Sequence, residues 1–200
     1  MSANRIAVVG SAEGASDALD GTLDRLLGDE SLRQIVYLGD DEALEGAMTT
    51  RTRAMLSQDS FLERSVDLAC SGDADAIDAL LLERRATQRL ATVRRLPPAP
   101  ALAVEMLEKW IVVMVHDKGV LEEDDIANAH VIIYGSSRKP YFKRFGPRCF
   151  FTPGPLSDGN IGRLDIEDNG DLSIRLIDAS GEIVQSETLQ GAATKFSVST

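Results

Sequence analysis

Residues 130–140 read His-Val-Ile-Ile-Tyr-Gly-Ser-Ser-Arg-Lys-Pro and set a pattern that the rest of the chain repeats. Within them, the apolar, β-branched run Val131–Tyr134 has the length of a buried strand. The run stops at Gly135, so the polar residues 136–138 must follow on a tight loop. The stretch therefore predicts a strand that presents three polar side chains at its carboxyl end.

Three other apolar runs end in the same way. Residues 6–9 lead into Gly-Ser-Ala-Glu-Gly, residues 35–38 into Gly-Asp-Asp, and residues 110–115 into His-Asp. In open α/β sheets, the carboxyl ends of the strands converge on one edge, and ligands bind there. The four runs together therefore predict a functional edge built from four loops.

Length and composition favour one globular domain. The chain has 200 residues, of which 44% are hydrophobic and 26% are charged, and this is enough for one substantial core. We expect a single domain over residues 1–190. Residues 191–200 contain few apolar side chains and are expected to fray.

The net charge and the cysteine pattern restrict the possible binding partners and the cellular compartment. A net charge of -11 argues against non-specific binding to nucleic acid or to an anionic membrane. The sequence has no secretory pattern near its start and no window with the ~20 apolar residues of a membrane span. Cys70 and Cys149 form no disulfide or metal motif and fit free thiols in a reducing compartment. We therefore expect a cytoplasmic protein.

The basic residues are unevenly distributed. Ten of the 21 lysines and arginines lie in two short segments, residues 84–95 and residues 138–148. One interpretation is two solvated surfaces, and the other is a local anion-binding site on an acidic protein. The sequence leaves both interpretations open.

The remaining pattern predicts an α/β first half followed by an antiparallel sheet. The predicted helices cover residues 16–27, 48–62 and 75–93. The strand that contains residues 35–38 begins at residue 34, and the additional predicted strands cover residues 66–70, 141–144, 148–151, 162–167 and 171–177. Asn169-Gly170 between the last two strands is a strong β-hairpin signal. Pro97 and Pro98 end the third helix, because proline cannot continue it.

Two of the loops carry candidate ligands. Asp40, Asp41 and Glu42 are adjacent carboxylates, which repel one another unless water or a cation lies between them. They are interpreted either as a solvated loop or as a cation position. His116 is either a structural hydrogen-bonding group or a ligand, and His130, at the start of its strand, is interpreted as structural.

The order of these loops resembles the calcineurin-like metallophosphoesterase superfamily, most closely its small bacterial and archaeal phosphodiesterase branch. The likeness extends from Arg5 to about Val184. It is carried by Arg-Ile-Ala-Val-Val-Gly, Ile-Val-Tyr-Leu-Gly-Asp, Val-Ile-Ile-Tyr-Gly, Lys-Pro and Thr-Pro-Gly. The resemblance implies a four-layer αββα sandwich of two mixed β-sheets flanked by helices, with a pair of divalent metals at the strand ends.

The metal-binding motifs of that family are degenerate here. Its Gly-Asp-x-His appears as Gly-Ser-Ala-Glu, its Gly-Asn-His/Cys-Asp as Gly-Asp-Ala-Asp, and its Gly-His-x-His as Gly-Ser-Ser-Arg. The bridging aspartate and the histidine after an apolar strand are both present. The seven positions that the resemblance places at the site hold Ser11, Glu13, Asp40, Asp73, His116, Ser136 and Arg138.

The two metal positions differ in what remains. By the resemblance, one metal would use positions 11, 13, 40 and 138, but an arginine stays protonated and has no lone pair for a cation. The other would use positions 40, 73, 116 and 136. The resemblance therefore implies that the binuclear site is lost, and the alternative is one divalent ion, Mn or Zn, held weakly by Asp40, Asp73 and His116.

Three functions follow from this degeneracy. We favour a catalytically inactive pseudoenzyme without a cofactor, which acts as a binding, scaffolding or regulatory protein for a protein partner of unknown identity. An edge strand of the antiparallel half is available for a homodimer. The alternatives are a phosphodiesterase or phosphatase rebuilt around one ion, and a metal-free protein that binds a nucleotide or another anion.

Arg138 separates these functions. The carboxylates of Glu13, Asp40 and Asp73 would repel one another in a cleft without a cation. Arg138 is therefore expected to hold Asp40 and Glu13 in an internal ion pair. If Arg138 is instead free, it becomes the candidate residue for binding a phosphate or another anion.

Overall fold

The structure is a computed structural model that describes residues 4–55 and 61–191. Strands β1 to β11 cover Arg5–Val9, Gln34–Tyr37, Val93–Arg95, Ala103–Leu107, Trp110–Val115, Val131–Tyr134, Tyr141–Phe145, Arg148–Thr152, Ile161–Ile166, Leu172–Ile177 and Ile183–Leu189. Helices α1 to α5 cover Ser16–Gly28, Ala43–Met55, Phe61–Ser71, Ala74–Leu90 and Glu123–Asn128. Residues 191–200, which were expected to fray, lie outside the described residues except for Gly191. Residues 56–60 of the predicted helix 48–62 also lie outside them.

The strands form two mixed sheets. The first has the order β11-β10-β9-β1-β2-β3, and the second has the order β4-β5-β6-β8-β7. In the first sheet, β1 is parallel to β2 and antiparallel to β9. In the second, β5 and β6 are parallel, whereas β4 and β7 pair antiparallel with their neighbours.

The core lies between the two sheets and beneath the helices. Ile6 and Val8 of β1 belong to the apolar cluster shared with the second sheet. Ala7 and Val9 alternate with them and pack with α1 on the outer face. Ile126 of α5 packs on the outer face of the second sheet. Because both faces of the central strands are covered, their sequences are continuously apolar, and the predicted αββα architecture is confirmed.

The prediction of a strand at residues 66–70 is wrong. These residues lie in α3, and the next strand of the sheet is β3, two of whose three residues are arginines on an exposed edge. The predicted helix 75–93 accordingly ends at Leu90, before β3. A run of five residues with mixed polarity fits a helix as well as a strand, and periodicity alone does not separate the two.

The prediction of a separate antiparallel sheet in the second half is wrong as a whole, although its hairpins are present. β7 and β8 form a hairpin in the second sheet, where β8 pairs parallel with β6, and β9 to β11 are part of the first sheet. β9 and β10 form a hairpin whose turn contains Gly170 with a φ of 78°. The edge strands β4 and β11 have no counterpart among the predicted strands. β4 carries the exposed apolar side chains Val104 and Met106, and β11 carries Ile183 and Val184.

Two glycines allow the sheets to meet at one edge. Gly10 follows β1, and a Cβ atom added to it would lie 1.8 Å from the carbonyl oxygen of Gly154, which follows β8. Gly135 follows β6, and its added Cβ would lie 2.2 Å from the carbonyl oxygen of Leu38, which follows β2. Only glycine permits such backbone contact, so these positions fix the strand ends of the two sheets against each other.

The cysteines and the helices bear on two further expectations, free thiols and the absence of a membrane span. Both cysteines are free thiols, and burial raises the pKa of Cys149 to about 12. Among helices α1 to α5, none has both the length and the apolar character that crossing a membrane requires.

Candidate functional site

The strand ends bring four loops to one edge, which we call the rim and define as residues 10–13, 39–41, 116–117 and 135–138. His116 joins the two sheets there. Its Nδ1 lies 2.8 Å from the carbonyl oxygen of Leu38, and because a carbonyl only accepts, this nitrogen carries the proton. Its Nε2 lies 3.4 Å from Oδ1 of Asp40. The predicted juxtaposition of Asp40 and His116 is confirmed.

The loop after β6 is held beside His116 by its backbone. The amide of Ser136 donates to the carbonyl oxygen of His116 at 2.7 Å, and the amide of Gly135 donates to the same oxygen at 2.9 Å. The side chain of Ser136 is exposed. This geometry places Ser136 on the rim as predicted, next to the Asp40–His116 pair.

The loop after β1 is held by a hydrogen-bond network that we name the Tyr37 network: Ser11, Ala12, Tyr37, Asp41 and Ala43. The hydroxyl of Tyr37 accepts from the amide of Ala12 at 2.8 Å and donates to Oδ1 of Asp41 at 2.6 Å. Ser11 donates from Oγ to Oδ2 of Asp41 at 3.2 Å, and the amide of Ala43 donates to Oδ1 at 3.1 Å. Both carboxylate oxygens of Asp41 are thus occupied by donors.

The electrostatics of the Tyr37 network favour a charged Asp41 and a neutral Tyr37. Burial raises the pKa of Tyr37, and its hydrogen bond to Asp41 raises it further. Burial also opposes ionisation of Asp41, but the hydrogen bonds from Tyr37, Ala43 and Ser11 outweigh it and lower the pKa of Asp41. The Asp41 carboxylate therefore remains an acceptor for its neighbours at neutral pH.

The substitution Tyr37→Phe is expected to lower the free energy of unfolding by about 1 to 3 kcal/mol. It leaves the amide of the fully buried Ala12 without its acceptor and removes a donor from Asp41. The contribution of charged Asp41 is present above about pH 4 and is lost as the pH falls through its lowered pKa. The difference in the free energy of unfolding between wild type and variant, measured with urea, should therefore shrink as the pH is lowered from 7 to 3.

Tyr141→Phe is the matched control, because the hydroxyl of Tyr141 is in none of the hydrogen bonds among the described residues. Its expected effect is within about 0.5 kcal/mol. Equal losses in the two variants, or a loss in Tyr37→Phe that does not change with pH, would contradict the role given to the network.

The predicted internal ion pair of Arg138 is wrong. Within the described residues, the ion pairs and side-chain hydrogen bonds do not include Arg138, and both Arg138 and Glu13 are exposed. The cation beside the Asp40 loop is Arg95, which donates to the backbone carbonyl of Asp40 at 2.7 Å and pairs with Glu45 at 2.6 Å. The carboxylate of Asp40 is 72% exposed, so solvent stabilises its charge and it needs no buried partner.

The predicted single-metal set is also not brought together. Asp73 precedes α4, where its carboxylate accepts from the amide of Ala76 at 3.0 Å and caps the helix. Residues 4–55 and 61–191 contain no group of three histidines, cysteines or carboxylates arranged to hold a metal ion. Asp40 and His116 thus remain at the rim without Asp73.

Sequence reasoning missed Tyr37, and it considered Asp41 only as part of a solvated loop or of a cation position and not as the acceptor of a hydrogen-bond network. Tyr37 lies inside an apolar strand, where a tyrosine usually contributes to the core, and its buried side chain fits that expectation. Its polar tip is nevertheless the part that organises the loop, since a buried phenol hydroxyl requires hydrogen-bond partners. The one sequence signal for the different roles of Asp40 and Asp41 is that they are adjacent. Two neighbouring side chains on a loop point in different directions, so they have different partners.

Comparison with known proteins finds similarity at the level of structure. No protein-family model and no curated protein sequence matches the chain. A predicted phosphoesterase from Streptococcus pneumoniae TIGR4 superposes with a TM-score of 0.55 at 16% identity, covering 94% of this chain and 98% of its own.

Two structures of the protein Vps29 are similarly close. A single mutant of Vps29 from Entamoeba histolytica has a TM-score of 0.52 and 14% identity, with 93% of this chain and 99% of that chain covered. Vacuolar protein sorting 29 from Cryptosporidium parvum has a TM-score of 0.52 and 12% identity, with coverages of 94% and 97%. At such identities the comparisons establish the fold, and the chain therefore has the fold of the calcineurin-like metallophosphoesterases.

Proposed function

We propose that the protein is a catalytically inactive member of this fold that acts as a binding or scaffolding protein for a protein partner. The Tyr37 network is the observation that carries the proposal. The hydroxyl of Ser11, at a position where the resemblance implies a metal ligand, donates to Asp41. The loop after β1 is therefore held by hydrogen bonds within the chain and does not need an ion to order it.

The remaining groups of the first metal position support the same conclusion. Arg138 is a permanent cation without lone pairs, and it lies on the loop after β6. Glu13 is exposed on the turn after β1 with a φ of 47°. A cation and a donating hydroxyl stand where two acceptors would be needed, so an incoming metal would meet repulsion there.

The second metal position retains two ligands. Nε2 of His116 and the carboxylate of Asp40 face each other, and the hydrogen bond from Nδ1 to a carbonyl orients the ring as in metal-ligating histidines. Structural and catalytic metal sites usually have three or four protein ligands. An ion held by two is expected to bind weakly, and one ion cannot supply the clamp on attacking and leaving oxygens that two metals form.

The fold alone does not choose between enzyme and binding protein. One structural neighbour is described as a predicted phosphoesterase, and two are vacuolar protein sorting proteins. The proposal therefore rests on the side chains of the rim. They favour binding over two-metal hydrolysis, and with Asp73 at the start of α4 they also disfavour a phosphoesterase rebuilt around one ion.

Anion binding at the rim is the second candidate function. It is favoured by Arg138, whose side chain is exposed. Arg138 follows two residues after Ser136, whose amide donates to the carbonyl oxygen of His116. Guanidinium groups bind phosphate and carboxylate oxygens through two parallel hydrogen bonds. Binding of inorganic phosphate that raises the melting temperature of the wild type and is absent in Arg138→Ala would establish this function.

We expect the purified protein to show no metal-dependent hydrolysis. It would be incubated with Mn²⁺ or Zn²⁺ and with bis-p-nitrophenyl phosphate or p-nitrophenyl phosphate, and release of p-nitrophenol would equal that of the metal alone. Asp40→Ala is the control and should be indistinguishable from the wild type. Hydrolysis that is lost in Asp40→Ala, or elemental analysis near two metals per chain, would contradict the proposal.

A further inference from the structure

One edge of the second sheet is basic on an acidic protein. Residues 138–148, which we call the basic edge, contain five lysines and arginines and no aspartate or glutamate. The whole chain has a net charge of -11, so the chain outside this segment is more acidic still. A local excess of one charge attracts partners of the opposite charge and orients them.

The basic edge includes a strand with an open side. Among the described residues, β7 is the last strand of the second sheet and pairs only with β8. The amide and carbonyl groups on its other side have no strand partner in that part of the chain, and such an edge is a template for a further strand. Residues 143–147 are exposed along this edge.

Most of these cations lack a carboxylate partner. Arg144 pairs with Glu187 at 3.5 Å. Arg148 donates to the carbonyl oxygen of Ala127 at 2.8 Å, and Lys143 lies over the ring of Phe145 at 4.6 Å. Arg138 and Lys139 also form no ion pair within the part of the chain that the structure describes. The exposed side chains of Arg138, Lys139 and Lys143 therefore remain available to carboxylates from outside, whereas Arg148 is partly buried.

An exposed aromatic side chain lies among the cations. Phe145 is 48% exposed and contacts Phe150 edge to face, with the ring centroids 5.5 Å apart. Lysines alone protect an edge strand from aggregation, and an exposed phenylalanine works against such protection. Aromatic residues combined with arginines are typical of the residues that dominate binding at protein interfaces.

We propose that the basic edge binds an acidic, extended segment of a partner protein, which adds as a strand beside β7. Main-chain hydrogen bonds to β7 would supply affinity, and carboxylates of the segment would contact Arg138, Lys139 and Lys143. Phe145 provides the apolar contact. The inference rests on the proposed binding function and gives the chemistry of the partner. Nucleic acid is disfavoured because it has no peptide backbone to pair with the open side of β7.

The test uses a fluorescein-labelled peptide of ten alternating glutamate and valine residues, with binding followed by fluorescence anisotropy in EDTA. The wild type should bind it, and more tightly at low than at high salt. The double variant Lys139→Glu, Lys143→Glu should bind about tenfold more weakly or worse, because two attractions become repulsions. Circular dichroism checks that this variant is folded.

The matched control is the double variant Arg85→Glu, Arg94→Glu. It changes the net charge of the protein by the same amount, but at exposed residues of α4 and of β3, a strand of the first sheet. This variant should bind the peptide like the wild type. A peptide of alternating glutamate and proline has the same charge but cannot pair as a strand. It should bind more weakly than the glutamate-valine peptide.

Several outcomes would overturn the inference. Equal losses in the two double variants would show that only net charge matters, and equal binding of the proline peptide would remove strand addition. Tighter binding of a labelled single-stranded oligonucleotide would make nucleic acid the partner, and no peptide binding would refute the surface altogether. If the surface fails while hydrolysis is also absent, the non-catalytic proposal stands. Metal-dependent hydrolysis together with peptide binding would refute the non-catalytic proposal and support the peptide-binding role of the basic edge.

Discussion

Gly10→Ala is expected to destabilise the protein by about 3 kcal/mol, a loss at the upper end for an overpacked site. The added Cβ would lie 1.8 Å from the carbonyl oxygen of Gly154. That atom belongs to the backbone, so a side-chain rotation cannot relieve the clash. The strand ends of the two sheets would have to separate, and the effect should appear in both chemical and thermal unfolding.

Gly21→Ala is the control for this substitution. Gly21 lies inside α1, and a Cβ added there meets no atom within 4 Å. Since alanine is favoured over glycine in a helix by about 1 kcal/mol, this variant should be slightly more stable than the wild type. The same chemical change is thus expected to have opposite signs at the two positions. A mild or stabilising effect of Gly10→Ala would show that the sheets are less closely joined than the structure indicates.

Asp165→Ala should lower the free energy of unfolding by about 3 to 5 kcal/mol, the range for breaking a buried ion pair. Asp165 is 4% exposed and accepts from three arginines: Arg5, Arg163 and Arg175. Arg163 and Arg175 are directly opposite each other on β9 and β10. Without the carboxylate, two neighbouring cations and a third nearby would have no common acceptor.

Asp24→Ala provides the comparison for Asp165. Asp24 also pairs with an arginine, Arg51, at 2.8 Å, but its side chain is 74% exposed. Exposed pairs contribute about 0 to 1 kcal/mol, so the control should change little. Urea is the suitable denaturant, because an ionic denaturant would screen the charges under study. Similar losses in the two variants would mean that the arginines find other partners.

The strands with continuous apolar sequences were predictable. Val131–Tyr134 and Trp110–Val115 are β-branched or large throughout and occupy the middle of the second sheet, where both faces are covered. β3 was not predictable, because it is three residues long and, within the described ranges, pairs only with β2 at an exposed edge. Its two arginines carry no apolar pattern, and its pairing depends on the neighbouring strand.

The candidate site was predictable only where it follows from strand ends. Asp40 and His116 meet because each follows a central strand on the same edge. Asp73 was assigned from a short motif, and such a motif has meaning only when a strand precedes it. The Tyr37 network was hidden, since the reach of a buried hydroxyl to a distant loop depends on three-dimensional packing. The freedom of Arg138 likewise depends on distances that a sequence does not contain.

The position of β1 has a consequence for the order of folding. β1 lies between β2 and β9, and Arg5 is paired with Asp165, 160 positions later in the chain. Closing so long a loop costs conformational entropy before any contact compensates for it, which slows folding. During synthesis, β1 must leave one edge open until β9 emerges from the ribosome. β1 is thus translated well before the strand that completes its pairing.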